Sequence, residues 1–151
     1  MKILFDNWKK RKCPILNGVI FADGTIYPIQ PVDAPRHSVP LALHHDPARQ
    51  ITPTDILEWT HTTPLCEFSD HPKDILAVAG ECGMGADGFI ALLNPDRSFR
   101  WVAFFDFSNP FVALRLEGDD LLAENNHGEH WRVPLSTPWK ITIESDGEKK
   151  K

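Results

Sequence analysis

The chain has 151 residues, 42% hydrophobic and 25% charged, a composition that excludes a disordered, collagenous or coiled-coil chain and suits one globular domain over 1–151. Sixteen Lys plus Arg stand against 21 Asp plus Glu, a net charge of -5, so the mean field repels phosphate backbones and argues against direct nucleic-acid binding. No apolar run approaches the ~20 residues of a membrane-crossing helix, and three cysteines (Cys13, Cys66, Cys82) without C-x-x-C spacing predict free thiols in a reducing, cytoplasmic setting.

In chain order, MKILFDNWKKRK offers a short apolar patch before Lys9, Lys10, Arg11 and Lys12, and reads as a solvated basic segment, as does Lys149 to Lys151. NGVIFADGTIYPI then reads as two strands joined at Asp23-Gly24, a pair that tolerates the positive φ of a tight hairpin. Between Pro28 and Pro72 lie eight of the 13 prolines and five of the seven histidines: His37, His44, His45, His61 and His71. Repeated X-Pro steps bias their neighbours away from helix, so 28–72 is expected to be long loops. One short helix is expected within it, at about 53–61, where Thr52 caps, Pro53 takes the first helical position and Asp55 completes a capping box.

From 74 to 144 the pattern has period two. DILAVAGEC, which fits a strand or a short helix, and DGFIALLN flank a glycine-rich stretch. Phe99, Trp101, Ala103, Phe105 and Phe107 alternate with Arg100, Val102, Phe104 and Asp106, predicting an aromatic strand face turned to a core, with Trp101 and Trp131 in that core. Val112, Leu114 and Leu116, a turn at Gly118, Asp119 and Asp120, then LLAEN, a turn around His127 and Gly128, and alternating Trp131, Val133 and Leu135 follow. WKITIE closes the series with Ile141 and Ile143 inward, and 145–151 is expected to be a flexible tail. The fold expected is α+β, mainly β: one antiparallel meander sheet of six or more strands, strongly twisted or barrel-like, with one or two short helices over an open face.

Several strings invite chemistry. Gly83, Gly85 and Gly88 satisfy G-x-G-x-x-G, with Asp106 downstream, but only FIALLN separates Gly88 from Pro95. That is too short for the helix whose amino terminus must face a pyrophosphate, and Asp87 would repel one. Cys82 sits among glycines as a nucleophile would, yet Met84 occupies the place of the second glycine of a nucleophile elbow, and a buried, inert thiol is the plainer reading. His127-Gly-Glu-His130 is one residue short of a zincin pattern. On a strand the two rings diverge, and only a turn at Gly128 could gather them with Glu124, Glu129, His44 or His45.

No complete catalytic signature and no cofactor motif emerges. The most distinctive feature is a block between Arg115 and Arg132 that holds Glu117, Asp119, Asp120, Glu124 and Glu129 and no lysine or arginine. The leading expectation is therefore a small protein-binding module presenting an acidic face to a basic partner, as an inhibitor or immunity protein would to a cationic nuclease toxin. Unpaired sheet edges would also suit a homodimer. The alternatives are a hydrolase or transferase built on Cys82 or on a histidine and carboxylate metal site, and a curled sheet enclosing an apolar ligand.

Overall fold

The computed structural model describes residues 1–32 and 42–145. The expected tail therefore lies almost wholly outside the described residues, as does His37. The architecture is mainly β and antiparallel with one α-helix, as the alternation predicts, but the strands divide among three sheets.

The Asp23-Gly24 hairpin forms as expected. Strand β2 (Gly18–Phe21) pairs with β3 (Thr25–Pro31); Gly24 adopts a φ of 89°, and the Asp23 carboxylate accepts the Thr25 N–H at 2.9 Å. DILAVAGEC resolves to a strand, β8 (Ile75–Glu81), which pairs with β9 (Gly88–Leu93) across the glycine-rich loop. Strand β10 (Phe99–Phe105) lies between β9 and β2. With β4 (Leu43–His45), β5 (Arg49–Gln50) and β7 (Thr63–Asp70) these strands make one eight-stranded sheet, in which β7 is an edge.

The meander breaks after β10. The inner edge of that strand is already paired with β2, so the next strand cannot add to it. The chain instead turns a corner through 106–110, where Asn109 takes a φ of 63° and Pro110 has no N–H to donate. It then starts a second sheet of four strands in sequence order: β11 (Phe111–Glu117), β12 (Asp120–Asn125), β13 (Glu129–Pro134) and β14 (Thr142–Ser145). The predicted turns at Gly118 and around Gly128 join them.

The two larger sheets pack face to face, and no barrel closes. Trp101, Phe105, Phe111 and Trp131 fill the space between them, with Trp131 ring centroids 5.0 Å from Phe105 and 5.3 Å from Phe111. With the sheets open at their edges, the curled, closed sheet that the apolar-ligand alternative needs does not form among the described residues. A register shift between Phe99 and Trp101 places Phe99 with Val102 and Phe104 on the opposite face, so β10 is buried on both sides and its expected single aromatic face becomes two.

That opposite face is covered by an element the opening residues conceal. Helix α1 (Lys2–Lys9) buries Leu4 and packs Met1, Phe5 and Trp8 on the sheet, where a solvated segment was expected. Their i, i+3, i+4, i+7 spacing is the amphipathic signal that the following lysines mask. A two-stranded ribbon of β1 (Lys12–Pro14) and β6 (Trp59–His61) lies beside the helix.

The helix expected at 53–61 is a single 3-10 turn, Pro53–Asp55. The capping contacts exist, with the Asp55 carboxylate accepting the Thr52 N–H at 2.7 Å, but Ile56 is extended and Trp59–His61 pairs with β1 instead. Local capping chemistry starts a turn; a strand partner for Trp59 and Thr60 then overrides it. The segment 63–70, expected to be loop, is the eight-residue strand β7, since Pro64 lies at the start of an edge strand where it interrupts little. Among the described residues no helix is long and apolar enough to cross a membrane.

Candidate functional site

Four of the five carboxylates singled out by sequence, Glu117, Asp119, Asp120 and Glu124, gather on one face of the four-stranded sheet or at its hairpin tip, while Glu129, in step with the core residue Trp131, does not join them. Leu121, Ala123, Trp131, Val133 and Ile143 point to the core, so alternation turns Asp120, Glu124, His130, Arg132 and Glu144 to the outer face. Glu117 faces Asp120 across the Gly118-Asp119 turn, which leaves Asp119 exposed at the hairpin tip.

Arg132 organises the face. Its guanidinium donates to Glu117 at 2.9 Å and Asp120 at 3.1 Å and lies 3.4 Å from Glu144, while Arg115 reaches Glu117 at 3.6 Å. The hydrogen bond to Glu117, with Asp120 and the charge of Glu144 beside it, holds the Arg132 guanidinium above its ordinary value. Part of the acidic block is thus compensated internally, by an arginine just beyond the block itself. Glu124 lies 3.6 Å from the buried His130.

Glu129 belongs to its turn. Asn125 donates to the Glu129 carboxylate at 2.7 Å and to Ser108 O at 2.9 Å, and its side-chain oxygen accepts the N–H groups of His127 and Glu129. His127 is exposed in that turn and His130 is buried on the strand. His44 and His45 lie in the other sheet, where His44 pairs with Asp46 at 3.1 Å. Among the described residues no group of three metal-ligating side chains forms.

The glycine-rich loop has its amides committed. Asp87, fully buried, accepts the N–H of Cys82 at 3.2 Å and of Met84 at 3.1 Å, while the Gly83 N–H goes to Thr60 Oγ1 at 3.0 Å. Three consecutive donors that a phosphate or an oxyanion would need are occupied by the protein itself. Cys82 is buried with Cys13, and a hydrogen bond with that thiol, burial, and the charges of Asp87 and Glu81 push its pKa far up. A thiol held protonated in this way is a poor nucleophile.

A concave surface lies on the far side of the large sheet. Where α1 stops short of β8 and β7, a groove of about 900 Å³ opens over Val78, Leu93 and Pro64, walled by Phe5 and Trp8 and rimmed by Lys9, Arg11 and Arg97. A smaller recess of about 290 Å³ continues it past Leu76 and Glu67, sharing Leu93 and Arg97. The Trp8 indole N–H donates to Arg97 O at 3.0 Å and its ring packs edge-on to Phe89 and Phe99, so this wall is fixed. The sequence reading missed this surface; the helical spacing of Leu4, Phe5 and Trp8, carried into Lys9 and Arg11, is the signal that could have found it.

Comparison of the chain with protein-family models, with curated proteins and with solved structures found no match.

Proposed function

We propose that this protein is a binding module that presents the outer face of the β11–β14 sheet to a basic protein partner, in the manner of an inhibitor or immunity protein that neutralises a cationic nuclease in a reducing compartment. One observation carries the reading: Glu117, Asp119, Asp120, Glu124 and Glu144 gather on this face and its hairpin tip, where the described basic side chains are Arg115, Arg132 and the buried His130. The Arg132 network does not cancel the surplus. It holds three carboxylates in place ahead of binding, which lowers the ordering cost, while Asp119 at the exposed tip and Glu124, which neither arginine contacts, supply the field that steers a cation.

Protamine, an arginine-rich protein, is a suitable probe. Reversing Asp119 and Glu124 to lysine leaves the Arg132 contacts intact and is expected to weaken protamine binding by about tenfold or more at low salt and to flatten its salt dependence. Reversing Asp6 and Glu58, which lie on other surfaces, is expected to change binding far less. Equal losses from the two pairs would reduce the effect to net charge and refute the localised face.

A further inference from the structure

We propose that the groove between α1 and the β7–β8–β9 part of the large sheet is a binding site for a small anionic amphiphile, a carboxylate or phosphate head on an apolar tail. It lies on the opposite side of the large sheet from the four-stranded sheet, so it is independent of the carboxylate face and does not rest on the function proposed above.

The volume is the first argument. At about 900 Å³ the groove has the size of small-molecule pockets, and Val78, Leu93, Phe5, Trp8 and Pro64 give it an apolar floor and walls. Charge is the second. The rim carries Lys9, Arg11 and Arg97 against one carboxylate, Asp96. Arg97 is taken by Glu67 at 2.6 Å, and Asp96 by the Ser98 hydroxyl at 2.6 Å and N–H at 3.0 Å. Arg11 has no ion-pair partner among the described residues, which leaves a guanidinium at the edge of an apolar trough with its donors available to an anion.

Backbone geometry supplies the third argument. Four non-glycine residues among those described have positive φ, and two of them are rim arginines, Arg11 at 60° and Arg97 at 71°. Arg11 closes α1 in the left-handed conformation that glycine favours, its N–H donating to Trp8 O at 2.8 Å and its carbonyl accepting the Thr62 N–H at 2.8 Å. Glycine would relieve the strain there. An arginine in this conformation at the groove edge, where glycine would be relaxed, fits a position held for its side chain. With the head group at Arg11, a tail would lie over Leu93 and Val78 toward the smaller recess.

The test uses the intact chain and 1-anilinonaphthalene-8-sulfonate, a fluorescent aryl anion. The parent protein is expected to bind it saturably at one site, with Arg11→Gln weakening the affinity by about tenfold. Arg11→Gly should lose affinity likewise while raising the melting temperature by about 2–4 °C, a combination that damage to the fold would not produce. Arg115→Gln, on the far sheet, should leave binding unchanged. Decanoate and decyl phosphate should displace the probe where decanol does not, and the more potent of the two acids identifies the head group. Displacement by decanol as strong as by the acids, or parent-like affinity in both Arg11 variants, would overturn the proposal.

Discussion

Replacing Asp87 should destabilise the fold through the two N–H groups it accepts, and the structure says how much. Its carboxylate is fully buried and accepts two backbone N–H groups, from Cys82 at 3.2 Å and Met84 at 3.1 Å. Asp87→Ala leaves both donors without that partner. An orphaned buried donor costs about 1–3 kcal/mol, and the share at Cys82, which is 9% exposed, falls in the upper part of that range. Met84 has a side chain in solvent, so water can recover part of its share, and a total of about 2–4 kcal/mol follows. Asp87→Asn keeps one accepting oxygen and turns an amide N–H₂ toward the other donor, for about half that loss. With a urea slope of about 2 kcal/mol/M for a domain of this size, the denaturation midpoint should fall by about 1–2 M for alanine and 0.5–1 M for asparagine. Midpoints within about 0.2 M of the parent would mean that the loop amides are satisfied elsewhere and that Asp87 is not the organiser of this turn. The parent protein separates a structural loop from an anion cradle: it is expected not to bind adenosine monophosphate, because Asp87 and Thr60 already accept the N–H groups of 82–84.

Burial pushes the Cys66 thiol up to about 11, and Cys13 and Cys82 are buried together, so a disulfide reagent at pH 8 should read well below one thiol per native chain while denatured protein yields three. Because the folded-state value of Cys66 is raised, the stability it confers is complete below the ordinary thiol pKa and is lost as pH climbs toward 11. Thermal melts at pH 8 and pH 10 should therefore differ less for Cys66→Ala than for the parent, and an identical alkaline loss in both would refute the assignment. A Cβ on Gly80 would stand 2.0 Å from Thr63 O and 2.8 Å from Leu65 N, so Gly80→Ala should cost about 3 kcal/mol and expose the amides of Thr63, Leu65 and Cys66 to hydrogen exchange ahead of the remaining sheet. Uniform protection along β7 in that variant would contradict the close approach.

What could be read in advance follows the range of the interaction that decides it. Turns governed by their own residues were legible: Asp23-Gly24, Gly118 with Asp119, and Gly128 all reverse the chain where expected. Strands with strict alternation were legible too, down to Ile141 and Ile143 facing inward. Thr52, Pro53 and Asp55 show the limit. Their capping chemistry is present to the atom, yet it closes one 3-10 turn, because β1 offers Trp59–His61 a partner that no local signal announces. The break between β10 and β11 is of the same kind. Nothing in 99–117 says that β2, some eighty residues earlier, already occupies the edge that a continuous meander would need.

The two candidate surfaces divide along that line as well. The carboxylates of the four-stranded sheet are close in sequence and arrive together because a hairpin ladder keeps neighbours as neighbours. Even there, Arg132 compensates residues that the linear count left unopposed, since register across β12 and β13 brings it to Asp120 and Glu117. The groove is assembled from the end of α1, the start of β7, the middle of β8 and the β9–β10 turn, four segments whose contributions look ordinary one at a time. A lysine and an arginine after a helix read as solvation until the helix is laid on a sheet. Laying it there sets Trp8 against Arg97 and leaves Arg11, in a backbone conformation better suited to glycine, as the cation that this wall and floor lack an anion for.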